Sequence, residues 1–160
     1  VTAVLVIAGI IAVAGAGKGA AAVVTHHHHS AHVTAAAVTS GSERAFIRAV
    51  LADLGAPVNS ANTASLAGWF TREFPAWPPY AAENPMSSTQ RMPGSTTYNS
   101  VGVQNYPTAS EGAHATAITL ANGYYPRVVA ALRSGRGLCG NPSIAGELLT
   151  WSGNGYSEVC

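Results

Sequence analysis

Between Pro75 and Thr108 the chain carries no helical hydrophobic period, while helical patterns stand on both sides of it. This limits what such a chain can build. The stretch is rich in Pro, Ser, Thr, Asn and Gly. A long polar segment inside a compact domain is usually functional or disordered, and the aromatic and amide side chains here argue against disorder. The expected architecture is therefore mainly α, with a small irregular or β lobe inserted after the second helix. Short strands are expected around Thr97–Tyr98 and Val101–Val103, with Pro93-Gly94 as a turn.

The flanking helices announce themselves. Ser40 precedes Glu43 at capping-box spacing, Phe46, Ile47, Val50, Leu51 and Leu54 form one face, and Gly55 closes the helix. Leu66, Trp69 and Phe70 recur at helical spacing in the second helix, with Asn59, Ser60 and Asn62 as candidate N-caps and Pro75 as the stop. After the lobe, Thr108 and Glu111 again form a capping box, and Ala113, Ala117 and Leu120 make a small-residue face. Gly123 breaks that helix, Pro126 opens the next, and Val128, Val129 and Leu132 continue the core up to Gly135. Asn141 and Pro142 open a last helix with Ile144, Leu148 and Trp151 as its buried stripe.

One residue breaks the pattern. Glu73 lies on the same stripe as Leu66, Trp69 and Phe70, where the helix must stop. A carboxyl on an apolar face has to be paired, hydrogen-bonded or kept protonated. In a chain with 9% charged residues such a placement is conspicuous. Left to itself it reads as a helix-end partner for Arg72, Arg91 or another base. Beside a polar lobe and Trp69, Phe70 and Trp77, it also suits acid catalysis. Protonating a glycosidic oxygen near neutral pH needs a carboxyl whose pKa is raised by apolar surroundings.

The first 17 residues carry no charge, and Lys18 is the only charged residue before Glu43. Residues 1–24 are expected to form an apolar helix. It can be a membrane anchor, an uncleaved signal-like segment or a helix packed on a partner. "GIIAVAGAGKGA" is not a phosphate-binding loop, because Ala12 stands at the first glycine position and Gly19 at the Ser/Thr position. Residues 25–42 read as a linker; His26–His29 and His32 lie in it without a frame that could fix a catalytic metal, so no metal site and no cofactor are expected. A net charge of +1 gives a nucleic-acid partner no electrostatic support. Cys139 and Cys160 both sit in the C-terminal tail without metal-ligand spacing. A disulfide is favoured over two free thiols, which would imply an oxidising compartment.

The segments "FIRAVLADLGAP", "WFTRE", "NPMSSTQRMPGSTTYNSVGVQNYP" and "EGAHATAITLANGYYPRVVAALRSG" together resemble the lysozyme-like domains of peptidoglycan hydrolases. The likeness is to those of actinobacteriophage lysins and tape-measure proteins and of secreted actinobacterial proteins. It covers about Phe46 to Gly137, a little over half the chain. It implies a lysozyme-like α+β domain over 43–137, followed by a C-terminal helix and disulfide-closed tail over 138–160. It further implies Glu73 as general acid. "GVQNY" is loosely similar to the transglycosylase Gly-x-x-Gln motif, which makes Gln104 and Tyr106 cleft candidates, and "ANGYYP" suggests Tyr124 or Tyr125. Asn84 and Asn99 are further candidate sugar contacts.

Of the seven acidic residues only Glu83, in the lobe, is placed to be a second carboxylate. Without it, Glu73 would serve in turn as acid and base, as in lytic transglycosylases. His114 reads as a packing or surface residue, and no GxSxG supports a serine nucleophile. The expected partner is the peptidoglycan glycan strand, with a membrane as a second one through residues 1–24. The setting is extracytoplasmic, secreted or membrane-anchored, or phage-associated. The competing expectation is a noncatalytic lysozyme-like module that binds glycan or builds part of a phage particle or secretion apparatus.

Overall fold

The computed structural model describes residues 41–74 and 77–160. The apolar segment 1–24 and the histidine-bearing linker 25–42 fall outside the described residues, save for the start of the first helix. The described chain is mainly helical: α1 (Gly41–Asp53), α2 (Ser60–Glu73), α3 (Ala109–Leu120), α4 (Pro126–Arg133), a 3-10 turn at Pro142–Ile144 and α5 (Ala145–Ser152). A two-stranded antiparallel ribbon, β1 (Thr96–Thr97) and β2 (Gln104–Asn105), lies in the inserted lobe, with Thr96 opposite Asn105 and Thr97 opposite Gln104. The ribbon forms where strands were expected but shifted: the second strand begins at Gln104, just beyond the expected Val101–Val103, and Tyr98 lies past the first. The Asn99 carbonyl and side-chain oxygen accept the Gly102 and Val103 N–H groups, so the intervening residues are spent on the turn.

Helix limits follow from local chemistry. Asn59 caps α2 by accepting the Asn62 N–H. Thr108 caps α3 by accepting the Glu111 N–H at 3.2 Å, the first half of the expected box; the Glu111 carboxylate accepts from the Thr108 hydroxyl. α4 has no side-chain cap of its own. Glu147 on α5 instead accepts the N–H groups of Arg127 and Val128 at 2.8–3.1 Å, a carboxylate placed at the positive end of the helix dipole. At the far end of α4, the Arg133 Nε donates to the Leu54 carbonyl beyond the end of α1.

One apolar core unites these helices. The α1 face Phe46, Ile47, Val50, Leu51 and Leu54 packs chiefly on α3, and Leu66, Trp69 and Phe70 of α2 join it. The C-terminal segment shares this core through Leu138, Ile144, Leu148 and Val159. Close packing of α3 against the lobe depends on Gly112, where an added Cβ would stand 1.8 Å from the Glu83 carbonyl oxygen.

Two buried polar side chains on α2 grip the turn after α4. Asn62 donates to the Pro57 and Leu132 carbonyls and accepts the Gly137 N–H. Ser65 accepts the Leu138 N–H at 2.7 Å, and its hydroxyl lies 3.6 Å from the Cys139 sulfur. This turn delivers Cys139 to Cys160, with Cα atoms 5.3 Å apart, so the favoured disulfide is present.

Among helical glycines the structure predicts opposite outcomes for one substitution. Gly112→Ala meets the Glu83 carbonyl and is expected to destabilise by about 1–3 kcal/mol. Gly146→Ala faces open space and is expected to stabilise by about 0.5–1 kcal/mol. Chemical denaturation of the two variants beside wild type checks both signs.

Candidate functional site

Glu73 is the last residue of α2, partly buried, at a junction of four segments. α2 supplies the carboxyl itself and Trp69. The C-terminal tail supplies Tyr156, whose hydroxyl donates to Glu73 Oε1. Trp69 Nε1 donates to that same hydroxyl oxygen at 2.6 Å. Ser87 from the lobe and Trp151 from α5 complete the polar contacts of the carboxyl.

This environment sets the acid. Burial pushes the Glu73 carboxyl above its ordinary range, and hydrogen bonds from Tyr156, Ser87 and Trp151 pull it partly back. Burial and the neighbouring Glu73 likewise push the Tyr156 hydroxyl up, so it remains a proton donor at all working pH values. The helix-end pairing with arginine is not what the structure shows: Glu73's hydrogen-bond partners are uncharged.

Aromatic rings continue outward from the carboxyl. Trp69 meets Trp151 edge to face at 5.1 Å, Trp151 meets Tyr125 at 5.2 Å, and Tyr125 meets Tyr124 at 6.4 Å. The row thus runs from the buried end of α2 to a surface tyrosine, Tyr124 being 70% exposed and Tyr125 buried in the core. Following Glu73 in sequence, Phe74 packs against Tyr80 at 5.7 Å, and Tyr80 is 72% exposed.

The lobe residues expected to face a cleft turn inward instead. Asn84 is fully buried; its amide donates to the Ser88 and Gln104 carbonyls and its oxygen accepts the Ser88 N–H. Gln104 donates to the Gly102 carbonyl and accepts from the Ser95 hydroxyl. Tyr106 is buried and its hydroxyl donates to the Gln90 carbonyl. These side chains hold the lobe together, which is a physical necessity where apolar residues are few. Asn99 is partly buried and spends its oxygen on the loop. Glu83 has left-handed backbone and is not among the groups that bond Glu73. His114 is exposed and pairs with Asp53 at 3.0 Å, linking α1 to α3 at the surface.

Three members of the site escaped the sequence reading. Ser87 carries no sequence signal; its backbone is left-handed, with φ 51°. Trp151 was expected on a buried stripe, with no hint that it reached Glu73. Tyr156 stands 83 residues from Glu73; the expected disulfide was the one available clue that the tail must fold back. A pocket of about 420 Å³ lies between the two ends of the C-terminal segment, lined by Leu138, Asn141, Pro142, Ile144, Ser157 and Glu158 among others and not by Glu73. Among the described residues no cluster of His, Cys, Asp and Glu could hold a metal, and no helix is long and apolar enough to cross a membrane.

Comparison of the chain with protein-family models, with curated proteins and with solved structures finds no match.

The raised carboxyl has a stability consequence. A group held neutral by the fold contributes fully below its unfolded pKa, and that contribution is lost as pH rises through its folded pKa. Glu73→Gln removes the titration. The variant is expected to melt above wild type at pH 7, with the difference vanishing near pH 3, where both side chains are neutral. Thermal unfolding at the two pH values checks this.

Proposed function

We propose that this protein is a peptidoglycan-cleaving glycosidase, of muramidase or lytic transglycosylase type, in which Glu73 is the general acid. The observation that carries the reading is the environment of that one side chain: a carboxyl at a helix end, desolvated and bonded to neutral partners. Its protonated form persists to higher pH than that of an exposed glutamate, the direction needed to protonate a poor leaving oxygen.

Glu83 is not among the groups that bond Glu73, and the scheme that needs only Glu73 is a one-carboxylate scheme. In that scheme Glu73 first gives its proton to the glycosidic oxygen. The resulting carboxylate then takes a proton from a sugar hydroxyl or a water as that oxygen attacks the anomeric carbon. Donor and acceptor roles alternate on one residue, and the enzyme returns to its starting state. Exposed Tyr124 and Tyr80 supply aromatic faces for sugar rings, on segments joined to Glu73 through Trp151 and Phe74. The disulfide fits an oxidising, extracytoplasmic setting, where a cell wall is met.

Two observations favour the alternative, a noncatalytic glycan-binding or structural module. Tyr156 covers one oxygen of the carboxyl, and the lobe amides expected at the substrate are committed to the lobe.

Both readings meet the same experiment. In the catalytic reading, Glu73→Gln lowers the rate of soluble muropeptide release from purified murein by about 10²–10⁴-fold while sedimentation with murein is kept. A wild type that sediments with murein and releases nothing supports the module. Tyr124→Ala is expected to raise KM about 3–10-fold with kcat little changed, as for loss of one aromatic contact of about 1 kcal/mol.

A further inference from the structure

The carboxyl of Glu73 is organised by the last eight residues of the chain, and the way those residues are anchored says what they do. Three independent ties hold the strap Gly153–Cys160. At its start, α5 ends in a left-handed Gly153, and the Ser152 hydroxyl accepts the Gly155 and Tyr156 N–H groups at 3.0 Å while donating to the Tyr156 carbonyl. This hydroxyl turns the chain back and fixes the Tyr156 backbone. At its end, Cys160 is bonded to Cys139, itself held beside Ser65 of α2. Between them Val159 is buried in the core, and its carbonyl lies so near α2 that a Cβ on Gly68 would stand 2.5 Å from it. Gly68 is one helical turn before Arg72, on the helix that carries the acid. The strap therefore lies flush along α2 and ends its first half on the carboxyl.

The direction of the hydrogen bonds adds a second constraint. An indole nitrogen can only donate. Since Trp69 donates to the Tyr156 oxygen, the tyrosine's own proton is sent to Glu73 Oε1. Oε1 is then an acceptor from Tyr156, so Tyr156 favours Oε2 as the seat of a proton on neutral Glu73. We infer that the disulfide-anchored strap is a positioning element: through Tyr156, oriented by Trp69, it fixes which oxygen of Glu73 carries the transferable proton and shields the carboxyl from water. This rests on the reading of Glu73 as the acid. Tyr156 and Trp69 act through Glu73 and are positioning residues.

The strap has two opposing effects on the same group, so it can be tested by sign. The polar and charged groups around the carboxyl are Tyr156 from the strap, Ser87 from the lobe, Trp151 from α5 and, nearer to Tyr156, Arg72 on α2. Tyr156 stabilises the charged form, while burial, the larger effect, stabilises the neutral one. Tyr156→Phe keeps the ring and its cover but deletes the hydrogen bond, so the Glu73 titration moves up. Freeing the strap, by Cys160→Ser or by reducing the wild-type disulfide, admits water and moves the titration down.

The measurement is the carboxyl carbon resonance of Glu73 against pH in the full chain, assigned by its loss in Glu73→Gln, with helix content followed by circular dichroism. Opposite displacements in Tyr156→Phe and the freed strap establish the inference. Titrations that coincide with wild type in Tyr156→Phe and in the freed strap, or that both move the same way, overturn it. Should Cys160→Ser not fold, Gly68→Ala, which lifts the strap through the Val159 carbonyl, replaces it with the same expected sign. No substrate is present, so the result is independent of whether murein is cleaved. In the active chain the same variants displace the alkaline limb of the kcat profile in the same two directions, which a merely structural role would not do.

Discussion

Ending an apolar helix on a carboxyl is the constraint around which the rest of this structure is arranged. The C-terminal end of a helix carries partial negative charge, and the stripe that Glu73 shares with Leu66, Trp69 and Phe70 faces the core. Neither surrounding welcomes a carboxylate. The chain answers with neutral donors brought from three other segments, the lobe, α5 and the strap, rather than with a cation. A cation would have left the acid ionised. Neutral donors limit the desolvation penalty without abolishing it, and the carboxyl remains easier to protonate than one in water. The site consequently exists only when the tail, whose tyrosine is 83 residues away, is closed over α2.

Low charge shifts structural duties onto amides and hydroxyls. Asn62 and Ser65 join α2 to the turn that follows α4, and Asn84 and Gln104 do the same inside the lobe. Each is buried with its polar atoms satisfied, and among the described residues no buried side-chain nitrogen or oxygen lacks a partner. An ordinary apolar core needs a repeating pattern; a hydrogen-bonded one needs only the right group at the right point. That is why residues 81–106 form a defined lobe with a ribbon of two residues per strand and no readable period. The lobe is tied to the helices by Met86 in the core, by the 2.9 Å contact of the Ser88 and Thr119 hydroxyls, and by the close passage of Glu83 over Gly112.

What could be read beforehand follows the same division. The helices were legible because caps and apolar spacing are local: Thr108 with Glu111, Asn59 before α2, and Pro126 at the start of α4 sit where their chemistry demands. Glu73 was legible because one polar residue on an apolar stripe is a local contradiction. The direction of an amide was not. Asn84, Gln104 and Tyr106 have the chemistry to hold a sugar, and the lobe's own carbonyls claim it first. The strand limits differ from those expected because the Asn99 turn consumes residues that β-propensity would have paired. Nor could spacing reveal the cap on α4, which comes from Glu147 on another helix, or the tyrosine on Glu73.

The choice of residue at position 73 bears on whether the site is for chemistry or only for shape. A glutamine there would fill the same volume and accept the same bond from Tyr156. It would avoid the cost of a carboxyl that must either stay protonated or be ionised in a desolvated place. Stability therefore gives no reason for glutamate at this point, and neither does charge pairing, since the partners are neutral. Glycan binding alone is equally served by an amide. The property that glutamate has and glutamine lacks is a transferable proton, and Trp69 and Tyr156 leave one of its two oxygens to carry it. On the proposed reading, the cover that the strap places over Oε1 counts for catalysis as much as against it, because Tyr156 engages that oxygen and not the other.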